Sequence, residues 1–115
     1  MALRKLGAEV LIYPSVFNLV TGPRHYVISG QARSLDTQCY TILSSTARYE
    51  DKPEYMQSFG HSSLIDFNGK ILSSLSKEEG LLIGEIDLGA LSDTRRALPY
   101  TSGQQRNDLY ELNLK

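Results

Sequence analysis

Residues 7–14, GAEVLIYP, decide the fold together with the two stretches that follow them, PRHYVISGQARSLD at residues 23–36 and CYTIL at residues 39–43. The apolar runs at residues 10–13 and 39–43 are continuous rather than alternating, which is typical of strands buried on both faces. Between them, Pro23 suits the first turn of a helix, and Ile28, Ala32 and Leu35 share one face of that helix. Strand, helix and strand in this order predict an α/β fold.

The rest of the chain adds a hairpin, one more strand and a short helix. Asn68-Gly69 separates residues 62–66 from residues 70–75, and this dipeptide favours a tight hairpin turn. Residues 81–86 predict a further strand, and Asp87 can cap a helix that ends before Pro99. Residues 1–7 are typical of the last turns of a helix that stops at Gly7. We expect residues 1–115 to form one small domain or part of a larger one, with residues 100–115 as its C-terminal tail.

Composition excludes several classes of protein. The 115 residues carry 12 Lys plus Arg and 13 Asp plus Glu, and the formal charge of -1 favours neither nucleic acid nor an anionic membrane as partner. The single cysteine cannot form an intrachain disulfide, and no secretory start or long apolar run is present. We therefore expect a cytoplasmic protein.

The nucleophile that composition allows is Cys39, with His25 or His61 as its base. Cys39 stands in an apolar run without a cation or a turn beside it in the sequence, which favours a buried structural thiol. One cysteine and two scattered histidines match no metal-binding spacing, so we expect no metal site.

Two further candidates are weaker. Glu50, Asp51 and Glu54 could form an acid–base pair, although carboxylates in a polar loop are usually solvated. Thr21-Gly22-Pro23 fits either an anion-binding helix start or a simple capped turn.

Several ordered motifs together point to one family. They are GAEVLIYPSVFN at residues 7–18, TGPRHY at 21–26, RSLDTQ at 33–38, GHSSLID at 60–66, EIDL at 85–88 and RNDLY at 106–110. In this order and spacing, the chain resembles the nitrilase superfamily of carbon–nitrogen hydrolases, in particular its omega-amidase branch. The resemblance implies the C-terminal half of a nitrilase-type α-β-β-α sandwich.

The same resemblance implies that the catalytic residues lie elsewhere. Nitrilase-like enzymes use a Glu general base, a Lys that stabilises the oxyanion and a Cys nucleophile, and all three precede the matched region. Cys39 does not replace the nucleophile, because it falls on a different strand. We therefore expect no catalytic residue, metal or cofactor in this chain and no activity when it is alone.

For the intact parent, the resemblance implies an amidase that hydrolyses the terminal amide of small dicarboxylic acid monoamides such as 2-oxoglutaramate and 2-oxosuccinamate. Val16, Phe17, Asn18 and His25 take positions at the substrate, although Phe17 fits a core-filling role equally well. The tail implies a homo-oligomer, since its apolar residues resemble a segment that packs on a neighbouring subunit. Two alternatives stay open: a non-catalytic fragment that binds a full-length homologue, and another amidohydrolase of the nitrilase branches.

Overall fold

The computed structural model describes residues 1–99 and 108–109. Its helices are α1 (Ala2–Lys5), α2 (Val27–Thr37) and α3 (Leu88–Ala97), and a π-helical turn (Gly22–Tyr26) leads directly into α2. The strands are β1 (Val10–Pro14), β2 (Tyr40–Ser44), β3 (Ser63–Ile65) and β4 (Ile71–Ser74). Most of the predicted tail at residues 100–115 lies outside the described residues. Within the described ranges, no helix is long and apolar enough to cross a membrane.

The four strands form one mixed sheet in the order β1-β2-β3-β4. β1 and β2 run parallel, with Val10 opposite Tyr40 and Pro14 opposite Ser44, whereas the other two pairings are antiparallel. Parallel neighbours require a crossover, and the π-helical turn with α2 supplies it. The sequence-based α/β class is therefore confirmed.

Successive side chains of β2 enter two separate clusters, because a strand alternates its faces. On one face, Tyr40 packs with Leu64, Phe67 and Leu91. On the other face, Leu43 packs with Ile65 and Tyr26, and Phe17, Val27 and Phe59 border this second cluster. α2 covers the second face, so the residues that lead into α2 are tied to the sheet.

Two local predictions are confirmed in detail. The hairpin turns at Gly69, whose φ of +79° suits glycine, and the Asp66 carboxylate accepts hydrogen bonds from the backbone N–H groups of Asn68 and Lys70, both at 2.9 Å. The Asp87 carboxylate caps α3 by accepting from the Ala90 N–H at 2.8 Å.

The expectation that residues 10–13 are buried on both faces is wrong. β1 has one neighbouring strand, β2, among the described residues and forms an edge of the sheet. Ile12 is 69% exposed, and Tyr13 is exposed as well. A continuous apolar run indicates that a strand needs cover, but the run does not say which segment provides that cover.

The predicted core face of the second helix is also wrong. Ile28 and Leu35 are 61% and 50% exposed, and α2 instead buries Gly30, Ser34 and Thr37 against the sheet. A Cβ on Gly30 would lie 2.8 Å from the Cδ1 atoms of both Leu43 and Ile65. The helix therefore approaches the sheet closely on its small-residue face, which leaves the larger apolar residues outside.

This close approach predicts an unusual glycine effect. Gly30→Ala would normally stabilise a helix, but here we expect a loss of about 1–3 kcal/mol because Leu43 and Ile65 are buried and must shift. The midpoint of thermal unfolding, followed by circular dichroism, should fall. Gly80→Ala is the matched control, since its nearest neighbour would be Leu75 Cδ2 at an ordinary 3.4 Å. Equal midpoints for the two variants would contradict the packing described for α2.

Residues 81–86 do not form the predicted strand. Leu82 and Ile86 pack against the first cluster, while Leu81 and Ile83 are each 81% exposed, so the alternation typical of a strand is present. No strand in the described part of the chain pairs with this segment, and the segment therefore has no ladder of hydrogen bonds.

Candidate functional site

The candidate site is the loop at residues 15–21, which leaves the carboxyl end of β1. This end lies beside the carboxyl end of β2, where the Ser15 N–H donates to the Ser44 carbonyl at 3.0 Å. Ligands of open α/β sheets bind beyond the carboxyl ends of parallel strands. The loop therefore stands where a substrate wall is expected.

Asn18 shapes this loop from within. Its side-chain oxygen accepts from the Val20 and Thr21 N–H groups at 2.9 and 2.8 Å and from the Thr21 hydroxyl at 3.0 Å. Its carbonyl accepts from the Gly22 N–H at 2.8 Å. The carboxamide oxygen is thus engaged in the turn, and Asn18 sets the shape of the loop.

Phe17 and Val16 are placed differently. The Phe17 ring lies 5.1 Å from the Tyr26 ring and borders the second cluster, so this side chain is half-buried. Val16 is exposed. Burial raises the pKa of Tyr26, which keeps its hydroxyl neutral and unsuited to acid–base work near neutral pH. Phe17 fixes the loop to the core, and Val16 remains on the open side.

His25 lies on the π-helical turn and is exposed. Its backbone N–H donates to the Thr21 carbonyl at 2.9 Å, which joins the turn to the end of the loop. The structure therefore brings Val16, Phe17 and Asn18 together, with His25 at the far end of the same connection.

The alternative anion site at Thr21-Gly22-Pro23 is not available. The Gly22 N–H is used by Asn18, and the Arg24 and His25 N–H groups both donate to the Thr21 carbonyl, at 3.2 and 2.9 Å. Pro23 has no N–H to offer. These bonds close the turn, although the Thr21 side chain does not cap the helical turn that follows.

Cys39 is buried, as the sequence predicts, although a cation does lie beside it. Its Sγ donates to the Ala8 carbonyl at 3.2 Å and accepts from Arg95 Nη2 at 3.3 Å. Burial lowers the pKa of Arg95. The hydrogen bonds of the Cys39 thiol in the described chain go to Ala8, Thr37 and Arg95, and neither histidine is among these partners.

The burial of Cys39 gives a direct test. The side chain is 0% exposed, so the native chain should react with a thiol reagent such as dithionitrobenzoate only on unfolding. Cys39→Ala should cost on the order of 1 kcal/mol through lost packing. Fast stoichiometric labelling under native conditions, with unfolding in urea as the reference, would contradict this placement.

The remaining chemical candidates include the loop carboxylate Glu50. Glu50 pairs with Lys77 at 2.6 Å and with Arg48 at 3.4 Å, and the Lys77 ammonium holds the pKa of this carboxyl below its usual range. A carboxyl with a lowered pKa is a poor general acid. Across residues 1–99 and 108–109, no three His, Cys, Asp or Glu side chains group as a metal site would require.

Sequence reasoning missed the support behind the loop. The Phe59 N–H donates to the Phe17 carbonyl at 2.8 Å, and Arg48 holds the carbonyl groups of Ser58 and Phe59. These residues are far from the loop in sequence. The GHS motif at residues 60–62, which directly follows Phe59, is the nearby sequence feature that could have indicated this support.

Comparison with known proteins identifies relatives over nearly the whole chain. The profile of the carbon-nitrogen hydrolase family matches residues 1–96. The omega-amidase NIT2 of Danio rerio is 39% identical over 109 residues, which are 95% of this chain and 38% of that protein. The deaminated glutathione amidase of Homo sapiens is 39% identical over 111 residues, which are 96% of this chain and 33% of that protein.

A solved structure agrees with these sequence relatives. The C. elegans NitFhit protein superimposes with a TM-score of 0.88 at 33% identity, covering 97% of this chain and 26% of that one. The chain thus spans less than two-fifths of the length of the curated relatives that it matches. Given the family profile over residues 1–96 and this shared fold, the chain belongs to the carbon-nitrogen hydrolase family of the nitrilase superfamily.

Proposed function

We propose that this chain is the C-terminal part of an omega-amidase-type enzyme and contributes its scaffold and one wall of its active site. The observation that carries the proposal is the loop at residues 15–21, held at the carboxyl edge of β1 and β2 by the Asn18 turn and the Phe17 contacts. A relative named omega-amidase matches 95% of the chain, and its name supports the choice of amide hydrolysis.

The chemistry would be divided between two parts of the enzyme. A Cys thiolate attacks the amide carbon, the C–N bond breaks, and protonated nitrogen leaves as ammonia. Water then hydrolyses the thioester to a carboxylate and frees the thiol. The nucleophile, the Glu base and the Lys that stabilises the oxyanion belong to the part that precedes this chain in the proposed enzyme.

The role of this chain is to place the substrate. Val16 offers an exposed apolar side chain for contact with the substrate. Phe17 anchors the loop to the second cluster, and Asn18 maintains the turn. His25 is exposed at the end of the same connection and is available as a hydrogen-bonding group. Small dicarboxylic acid monoamides such as 2-oxoglutaramate are the proposed substrates, and the reducing cytoplasm is the proposed location.

A second amidase function has comparable support, because the human deaminated glutathione amidase is also 39% identical to this chain. The two functions differ in the size of the substrate, so a substrate panel distinguishes them. The chain should be co-expressed with the portion of the Danio rerio omega-amidase that it does not match, which we call the complementing part.

The test is ammonia release by this co-purified assembly from 2-oxoglutaramate and from deaminated glutathione. We expect the ratio of kcat/KM to favour 2-oxoglutaramate. Preference for deaminated glutathione would support the second function. An inactive assembly would contradict both amidase functions and favour a non-catalytic fragment that binds a full-length homologue.

A further inference from the structure

Arg48 bridges two consecutive carbonyl groups on the core side of the candidate loop. Its Nε donates to the Ser58 carbonyl at 2.7 Å, and its Nη2 donates to the Phe59 carbonyl at 3.2 Å. The Arg48 side chain is 15% exposed, and its Nη1 reaches Glu50 at 3.4 Å. A planar guanidinium can satisfy two neighbouring acceptors at once, which an ammonium group cannot do from one fixed position.

The segment that Arg48 holds, residues 58–61, has a demanding backbone. Gly60 and His61 both have positive φ angles, +76° and +64°, and for a non-glycine residue such as His61 this conformation needs support from its surroundings. Ser58 is fully buried, and its hydroxyl donates to the Thr46 carbonyl at 2.9 Å. The His61 ring stacks on Phe59 with 4.0 Å between ring centroids. Phe59 is therefore held from several sides.

Phe59 in turn holds both ends of the loop. At the start of the loop, its N–H donates to the Phe17 carbonyl at 2.8 Å. At the end, Gly22 lies so close that a Cβ there would be 2.3 Å from the Phe59 Cβ. The Phe59 ring also meets the edge of Tyr26 at 6.3 Å, and Tyr26 contacts Phe17. A shift of Phe59 would therefore move Val16, Phe17 and Asn18 together.

We propose that Arg48 is a positioning residue for the substrate wall, and that it acts through Phe59 on the loop at residues 15–21. The inference rests on the proposed function, in which this loop faces the amide substrate. Because the Arg48 guanidinium binds Ser58, Phe59 and Glu50 rather than the loop itself, its loss should weaken substrate binding more than it slows the chemical step. Small misplacements of binding groups have large effects, and we expect KM to rise on the order of tenfold.

The first measurement needs only the 115-residue chain. Hydrogen exchange followed by mass spectrometry should show faster exchange at residues 16–22 and 58–61 in Arg48→Ala, with exchange at residues 63–74 unchanged. Arg33→Ala is the matched control, because Arg33 is exposed and pairs only with the exposed Asp36 in the described chain. Unchanged exchange at the two segments, or an equal increase across all peptides, would overturn the proposed positioning role.

The second measurement uses the assembly with the complementing part. Arg48→Ala should raise KM for the amide while kcat stays within about twofold, and Arg48→Lys should show a smaller rise of KM because an ammonium group can hold one of the two carbonyls but not both. Glu50→Gln removes the ion pairs with Arg48 and Lys77 but leaves both carbonyl bonds in place, so its KM should equal that of the unchanged chain. A fall in kcat with unchanged KM, or wild-type behaviour of both Arg48 variants, would contradict the proposal.

The two measurements separate this inference from the proposed function. If the unchanged assembly is inactive, the proposed function fails, and the hydrogen exchange result still decides whether Arg48 holds the loop. If Arg48→Ala does not fold, both measurements are made on Arg48→Lys instead. This variant keeps the positive charge and most of the aliphatic side chain. Wild-type exchange and wild-type KM in Arg48→Lys would then overturn the role of the two-carbonyl bridge.

Discussion

The purified 115-residue chain should release no measurable ammonia from 2-oxoglutaramate or 2-oxosuccinamate. Acyl transfer needs a nucleophile, a base and an oxyanion donor at one site, and their combined loss typically costs many orders of magnitude in rate. The chain has one thiol, on Cys39, and this side chain is fully buried. Ammonia should be measured with a coupled glutamate dehydrogenase assay over the same protein concentrations that give activity in the assembly.

The control for this prediction is the Cys39→Ala variant prepared in parallel. Host amidase carried through purification would produce the same small signal in both preparations. Turnover that is present in the unchanged chain and lost in Cys39→Ala would show that Cys39 is catalytic, and the placement of the active site would then be wrong.

The second large effect concerns association. The isolated chain should self-associate, because apolar side chains lie exposed on the β1 edge and on α2 and the 81–86 segment, including Ile12, Ile28 and Ile83. Unpaired strand edges and exposed apolar patches recruit other chains. Fully burying one such side chain stabilises an assembly by roughly 1.5–3 kcal/mol before the cost of ordering is subtracted. Light scattering after size exclusion should show species larger than a monomer.

Adding the complementing part should replace this self-association with a defined complex of the two chains.

The proposed homo-oligomer through the tail is tested with a variant that ends at Pro99. If the tail carries the subunit contact, this variant should form the complex of the two chains but not its higher oligomer. A monodisperse monomer of the 115-residue chain would contradict the association prediction and favour an independent small domain.

The sequence alone was sufficient to predict those parts of the structure that depend on residues close together in the chain. The Asn68-Gly69 turn and the Asp87 cap follow from the local chemistry of two or three residues, and both are confirmed. The α/β class follows from the order of strands and helices, which changes little with tertiary context. The relatives confirm the family that the ordered motifs suggest.

The sequence was insufficient where structure depends on distant contacts. The apolar spacing of Ile28 and Leu35 indicates a helical face, but the face with Gly30 meets the sheet, so closely that a Cβ there would clash with Leu43 and Ile65. The apolar run at residues 10–13 predicts a strand that is buried on both faces. In the described part of the chain, Ile12 and Tyr13 of this strand are exposed. The same limit applies to the site: Val16, Phe17 and Asn18 are adjacent in sequence, whereas Arg48 and Phe59 join them only through the fold.

The most direct test of the proposed amidase function is ammonia release from 2-oxoglutaramate by the assembly of this chain with the complementing part. We predict that the assembly is active, that replacing the nucleophilic cysteine of the complementing part by alanine abolishes the activity, and that Cys39→Ala in this chain leaves kcat unchanged. An assembly that forms as a stable complex but stays inactive with every monoamide tested, or one whose activity depends on Cys39, would contradict the account.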